Sequence, residues 1–311
     1  MNARKWQWRP HASGSISLCM IMKNESKVLE RCLTGVRGLV SEIIIADTGS
    51  TDNSIKLAES LGAKVFSIPW TDDFAAARNA AIERATSDWI LILDPDEVLS
   101  IKDHDKIRQY TSDTRFSAYR IHTRNYSHDG RQQGALPNTN DYPEGAGYPV
   151  YIISTKTRLF RASCGIRFRG VWHELLDWDI ESNKIPVASV EVPVHHYPHE
   201  ICQESYKAKA LFYNRLGKKK VKQWPYNPQS WHELFVSYMV LKNYKQAAYC
   251  AAKALKLGVP VAGRFFSQAR ALNELGAKDL GKLAFEKGVC LLYSNLTHID
   301  PKKHPIDDLV L

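Results

Sequence analysis

Long hydrophobic runs are missing from this sequence. No apolar stretch approaches the ~18–20 residues that a membrane-spanning helix needs, so no transmembrane helix is predicted. The opening residues MNARKWQWRPH are basic and aromatic, without the apolar core of about 7–15 residues that marks a secretory leader. Cysteine is sparse and scattered, at Cys19, Cys32, Cys164, Cys202, Cys250 and Cys290, and no two form a CxxC pair. That argues against a thiolate zinc site and predicts reduced thiols in a cytoplasmic protein. There is no GxGxxG turn for a dinucleotide and no GxSxG elbow for a serine nucleophile, so neither hydride transfer nor serine hydrolysis is expected.

What is present is the composition of an ordinary globular protein: 311 residues, 44% apolar and 24% charged. The length fits one large domain, or a domain with an appendage, and needs no disulfide or metal staple to fold. The 42 basic residues outnumber the 33 acidic ones, and the excess is uneven. The first hundred residues carry 11 basic and 13 acidic groups, whereas residues 201–311 carry 18 and 8. This asymmetry points to a second, basic module that would meet an anionic surface or partner.

Strand and helix patterns alternate through the first hundred residues. ISLCMIM (16–22), EIIIAD (42–47), AKVFSI (63–68) and DWILILD (88–94) read as strands, the first of them buried. Between them, residues 25–37, 55–61 and 74–85 show helical spacing, with Gly62 as a helix stop and Asp72 or Asp73 as a cap. The β-α-β-α-β-α-β order predicts a parallel sheet that binds its ligand at the strands' carboxyl ends. Further strands are expected at 117–123, 157–161 and 189–197, with a long Pro/Gly/Asn-rich loop at 137–149 that suits a lid or binding loop. Beyond residue 201 the pattern is helical. LKNYKQAAYCAAKAL and LGAKDLGKLAFEKGV align at an offset of 34, with small residues alternating with large ones as in tetratricopeptide helices.

Asp94-Pro95-Asp96-Glu97 is the strongest chemical signal. Two carboxylates one residue apart at a strand end offer hard oxygen ligands for Mg²⁺ or Mn²⁺. A cation there could neutralise a departing diphosphate, whereas an isolated acidic turn would only cap the next helix. In Asp47-Thr48-Gly49-Ser50-Thr51-Asp52, a strand-end aspartate precedes a tight turn. Asp47 is expected to meet a nucleobase or ribose, and Asp52 to serve the turn and helix start.

Taken together, SLCMIMKNES, EIIIADTGSTDNS and WTDDFAAARNAAIERATSDWILILDPDEVL resemble the bacterial-type family-two glycosyltransferases. The resemblance is close over residues 15–100 and looser to about 200. It implies the GT-A fold, an α/β nucleotide-diphospho-sugar transferase with a mixed sheet, here followed by a C-terminal helical region. It also implies a nucleotide-sugar donor, UDP-linked for preference, a divalent cation (Mn or Mg) on the aspartate motif, and inversion at the anomeric carbon. Residue by residue, Asn24 and Glu25 stand where the family's first strand meets the nucleoside, and Asp47 where its aspartate contacts the base. Arg78 stands beside the nucleotide, and Asp94 and Asp96 match the sugar-nucleotide and metal aspartates, with DPD in place of the commoner DAD. In the Trp172-His173-Glu174 segment, Glu174 or His173 is the candidate base, with Asp177 and Asp179 as rivals by position. An inverting transfer needs such a group to take the acceptor's proton. In VPVHHYPHE, His196 or His195 is the candidate third metal ligand.

The expected organisation is an N-terminal segment (1–14), a GT-A glycosyltransferase domain (15–200) and a tetratricopeptide-like helical region (201–311). The expected activity is metal-dependent, inverting transfer of a sugar to a hydroxyl of a glycan, lipid or protein acceptor. The rival from another class is a noncatalytic interaction protein that uses its helical repeats and keeps a relic transferase domain. A cytoplasmic location is expected. The basic, aromatic run LGKKKVKQWPY offers a peripheral contact with an anionic membrane; a nucleic-acid partner is not expected.

Overall fold

The computed structural model describes residues 14–132, 134–197, 203–258 and 262–297. Most of the expected N-terminal segment, Cys202 and the expected boundary at 200/201 lie outside these residues. The chain forms two compact units, one up to residue 200 and one from residue 201.

The first unit is built on a nine-stranded mixed sheet. Strands β1 (Ile16–Met22), β2 (Glu42–Asp47), β3 (Lys64–Ser67) and β4 (Trp89–Ile92) are parallel, in the spatial order β3-β2-β1-β4. Helices α1 (Leu29–Gly35), α2 (Ser54–Ser60) and α3 (Phe74–Ile82) make the crossovers. Strands β1, β2 and β4 are buried on both faces, which is why their sequences read as near-continuous apolar runs rather than alternating ones, whereas β3, at the sheet edge, is partly exposed. Successive side chains nevertheless go to opposite sides. Leu18, Met20, Ile43, Ile45, Trp89 and Leu91 join one core, and Cys19, Ile21, Ile44, Ala46, Ile90 and Ile92 the other. Asp73 caps α3, its carboxylate accepting from the Ala76 N–H.

Past β4 the sheet becomes mixed. Its remaining strands are β5 (Glu97–Leu99), β6 (Ala118–Ser127), β7 (Ala135–Pro137), β8 (Val150–Arg161) and β9 (Val187–His196), with α4 (His104–Ser112) after β5 and α5 (Asp177–Ser182) before β9. The order continues β4-β8-β6-β9-β5, with β7 paired to β8. β8 pairs antiparallel with β4 and β6, β9 pairs parallel with β6, and β5 pairs antiparallel with β9. The mixed sheet agrees with the expected fold class. The three-residue β5 and β7, and helices α4 and α5, were not anticipated. In α4 only His104, Ile107 and Thr111 are buried, too few apolar positions to show a helical period.

The topology brings the DPDE segment into the sheet. β5 leaves directly from it and pairs antiparallel with β9, placing Glu97 opposite His196. α1 packs close beneath, and Gly35 is required there: a Cβ on it would lie 2.8 Å from the Leu99 carbonyl oxygen.

The second unit is helical: α6 (Gln203–Gln223), α7 (Pro228–Val240), α8 (Tyr244–Leu257), α9 (Ala262–Glu274) and α10 (Lys278–Thr297), each packing on the next in chain order. α7 and α8 start at Asn227 and Asn243, whose side chains accept backbone N–H bonds as N-caps.

Candidate active site

Asn24, Glu25 and Asp47 sit just past or at the carboxyl ends of the neighbouring strands β1 and β2. Asn24 takes a left-handed conformation (φ 57°), which asparagine tolerates better than most residues. Its side-chain oxygen accepts from the N–H groups of Thr51 (2.7 Å) and Asp52 (3.3 Å), and its own N–H donates to Ser50 Oγ. The Glu25 N–H donates to Ser54 Oγ at 2.7 Å. The β1–α1 and β2–α2 loops are therefore stitched into one rim.

Asp47 is buried and its carboxylate accepts from the N–H groups of Gly49 and Ser50 at 3.0 Å. Gly49, at φ 105°, permits the turn that presents those groups. Asp52 accepts from the Ser54 hydroxyl, the Ser54 N–H and the Ser26 N–H, bonds that hold its carboxyl below the usual range. Asp47 and Asp52 thus both shape this rim, Asp47 from beneath and Asp52 from its edge.

The DPDE turn is fixed from below by a group that the motif pattern did not single out. The Arg158 guanidinium, on β8, forms a buried two-pronged pair with Glu97 at 2.6 and 2.5 Å, and also donates to Thr123 Oγ1. Glu97 Oε2 in turn accepts the Asp94 N–H at 2.9 Å. A paired buried charge is tolerated where a lone one is not, so this pair locks the loop carrying both aspartates.

Arg78, on α3, joins two segments that are distant in sequence. Its Nη2 lies 2.8 Å from Asp94 Oδ1 and its Nε 2.5 Å from Glu174 Oε1. Its Nη1 is buried without a hydrogen-bond partner among the described residues. Burial pushes the Asp94 carboxyl up, but the Arg78 guanidinium outweighs it and holds the group below the ordinary carboxylate range. Glu174 reaches this position because residues 169–175 close a tight turn, with Arg169 and Leu175 bridging across it and His173 left-handed at φ 47°. His173 itself is exposed and stacks on Trp172.

The rivals for the base lie elsewhere. Asp179 is buried and uses both oxygens, on the Arg167 N–H and on Arg169 Nε. Asp177 is half-exposed and paired with Arg120 at 3.1 Å.

The two histidines of β9 face opposite ways, as adjacent strand residues must. His196 Nε2 lies 3.2 Å from Asp96 Oδ2, and its Nδ1 is 3.0 Å from Asn125 Oδ1. The Asn125 amide nitrogen donates to the Ile152 carbonyl and Ser154 Oγ, so its oxygen is the end facing His196. That puts a proton on Nδ1 and turns Nε2 toward Asp96. The Asp96 carboxylate raises the His196 pKa above its ordinary value. His195 instead lies in an aromatic cluster. Its Nδ1 meets the Tyr126 hydroxyl at 2.7 Å, its ring lies 4.7 Å from that of Tyr142, and its Nε2 is buried without a partner. Burial lowers its pKa to about 3. Of the two candidates, only His196 is brought to the aspartates. Arg158, Asn125 and the bridging role of Arg78 escaped sequence reasoning because each depends on a partner at least 16 residues away, with no local spacing to reveal it.

Among the described residues no three metal-ligating side chains are gathered closely enough to hold an ion. The reason is geometric: Asp94 is turned to Arg78, leaving Asp96 and His196 as the converging pair. A carboxylate oxygen beside an imidazole nitrogen oriented by an outer hydrogen bond is a donor set that suits Mn²⁺ better than Mg²⁺, which takes oxygen ligands.

Residues 17–164 match the family model described as Glycosyl transferase family 2. A TPR repeat-containing protein of Synechococcus elongatus is 37% identical over 166 residues, covering 53% of this chain and 36% of that one. An uncharacterized glycosyltransferase of Rickettsia felis is 37% identical over 109 residues, covering 34% of this chain and 38% of its own length. The chain thus spans little more than a third of these relatives. The crystal structure of S. aureus TarS in complex with UDP-GlcNAc is similar in fold, with a TM-score of 0.51 at 13% identity, covering 88% of this chain and 92% of that one.

Proposed function

With a family 2 glycosyltransferase domain of the GT-A fold over residues 17–164 as the premise, we propose that this protein moves a sugar from a nucleotide-sugar donor to an acceptor hydroxyl, with inversion and with a divalent cation. The observation that carries the reading is the Arg78 bridge, which draws Glu174 to the aspartates at the end of β4.

In this reading the rim formed by Asn24, Glu25 and Asp47 receives the nucleoside, and a uridine base suits the family resemblance. Asp96 and His196 hold the cation, with Asp94 as a further oxygen that Arg78 shares. When bound, the cation neutralises charge on the departing diphosphate. Arg78 adds to this as a fixed positive charge. Its buried Nη1, which costs about 1–3 kcal/mol while unpaired, gains a partner in an anionic donor oxygen. Glu174 accepts the acceptor's proton as the new bond forms. Its Oε1 is held by Arg78, which leaves Oε2 for that proton, and the clamp positions the carboxylate without reaching the acceptor itself. His173, exposed at the same turn, is read as the alternative base. The helices of the second unit are read as tetratricopeptide-like, a scaffold rather than part of the transfer chemistry. The acceptor is a hydroxyl-bearing glycan, lipid or protein.

The test is Asp96→Ala, with Mn²⁺-dependent stabilisation by UDP as readout. Wild type should gain stability from nucleotide and metal together. The variant should lose that gain while its circular dichroism is unchanged. A variant stabilised as much as wild type would sink the assignment of Asp96 to the cation.

A further inference from the structure

The helix that opens the second unit gathers most of its exposed charge on one side. Positions Ala210, Asn214, Leu216, Lys220 and Val221 of α6 are buried. This side is held to α7 by Asn214 Nδ2 donating to Ser237 Oγ at 3.0 Å and by Lys220 Nζ against Glu233 Oε2 at 2.7 Å. Lys207, Leu211, Arg215, Lys218 and Lys222 are exposed. Their spacings of four, four, three and four residues set them in one stripe along the helix. At 1.5 Å per residue the stripe is about 22 Å long. No acidic residue occurs in the sequence between Glu204 and Glu233, so the helix itself is basic over this stretch. Lys218 lies 5.5 Å from the Tyr238 ring and Arg215 5.4 Å from that of Phe212, contacts that leave both side chains exposed. Apolar groups interrupt the stripe: Leu211 is 54% exposed in its middle, and Tyr226 is 83% exposed just past its end.

We propose that this face of α6 docks peripherally on an anionic lipid bilayer. Charge complementarity brings the lysines to the headgroups, where their long stems allow the ammonium groups to reach phosphates beside an inserted apolar group. Leu211 and Tyr226 distinguish a membrane from a soluble polyanion. A polyphosphate or acidic glycan gains nothing from an exposed leucine between lysines, whereas the boundary between headgroup and acyl chain does. None of the described helices is long and apolar enough to cross the membrane, so the contact is with the surface. The inference is independent of the donor-site reading, because no residue of that site lies on α6.

The test is co-sedimentation of the full chain with phosphatidylcholine vesicles, with and without about one third phosphatidylglycerol. Binding is expected only to the anionic vesicles and should fade as salt is raised. Each cation contributes about fivefold near such a surface, so the K207Q/K218Q/K222Q variant should bind about 100-fold more weakly. L211N should bind several-fold more weakly. A control, K245Q/K256Q/K278Q, removes the same charge from α8 and α10 and should bind nearly as wild type. Circular dichroism verifies that each variant is folded, and K218Q alone, at about fivefold, serves if the triple is not. The proposal is overturned by absent binding to anionic vesicles, or by equal weakening in the two triple variants. It is also overturned if polyphosphate displaces the protein while L211N binds normally, which would identify a soluble polyanion as the partner.

Discussion

Replacing Glu174 by Gln separates proton transfer from binding at the Arg78 clamp. Glutamine has the same length and keeps a carbonyl oxygen where Oε1 accepts from Arg78 Nε at 2.5 Å. Arg78 also retains Asp94 at 2.8 Å, so neither α3 nor the aspartate loop should move. The bond between Arg78 and residue 174 changes from charge-assisted to neutral on the acceptor side, a loss of about 1–2 kcal/mol. That loss should appear in thermal stability, and only weakly in nucleotide affinity, because the phosphate-facing groups are untouched. The rate is different. Removing a general base costs about 10²–10⁴-fold, whereas tenfold in rate corresponds to only 1.4 kcal/mol, so the chemical effect should exceed the structural one. The assay is release of UDP from a UDP-sugar, with water or an identified acceptor as nucleophile, alongside titration of UDP in the presence of Mn²⁺. A fall in rate with affinity preserved is expected. If turnover stays near normal in this variant and collapses in Asp177→Asn, the base is Asp177 and the clamp is structural. If affinity collapses instead, Glu174 belongs to the donor-binding shell.

Glu97→Gln strands Arg158 as a buried unpaired charge and should cost about 3–5 kcal/mol in urea unfolding. Replacing both residues, as in E97Q/R158M, should recover much of this, and a single-variant cost below about 1 kcal/mol would refute the locking role of the pair. His195 governs an acid limb of stability. Burial, with the nearby Arg124 charge adding to it, holds its pKa near 3 in the fold, against 6.5 in the unfolded chain. A depressed pKa means the contribution is complete above pH 6.5 and is lost as pH falls, by about 1.4 kcal/mol per unit, until the folded group titrates near pH 3. His195→Gln should therefore flatten the dependence of unfolding free energy between about pH 6 and 4 by that amount, and an unchanged slope would refute it.

The sequence by itself determined the parallel half of the sheet and where its chemistry gathers. Strands β1 and β2 follow the runs ISLCMIM and EIIIAD, because strands buried on both faces carry few polar residues inside them to blur the edges. The loops after β1, β2 and β4 were legible for the same reason: each polar residue that ends such a run lies on the ligand-binding edge of a parallel sheet. Local bonding was legible too, as in Asp73 capping α3 and Asp52 serving its turn. The mixed half was read less fully. β8 runs through the polar residues Ser154, Thr155 and Lys156 in its partly exposed stretch, and β5 is too short to carry a period. Only the tertiary structure decided between His195 and His196, since the choice depends on which face of β9 meets the Asp96 loop, and that is set by β5 pairing across from it. The same holds for Arg158 under Glu97 and for Arg78 between Asp94 and Glu174, where the groups are 61, 16 and 96 residues apart. A local pattern records how a chain meets its neighbours along the backbone. A charge bridge across the sheet exists only once packing has brought its ends together and excluded the water that would otherwise screen them.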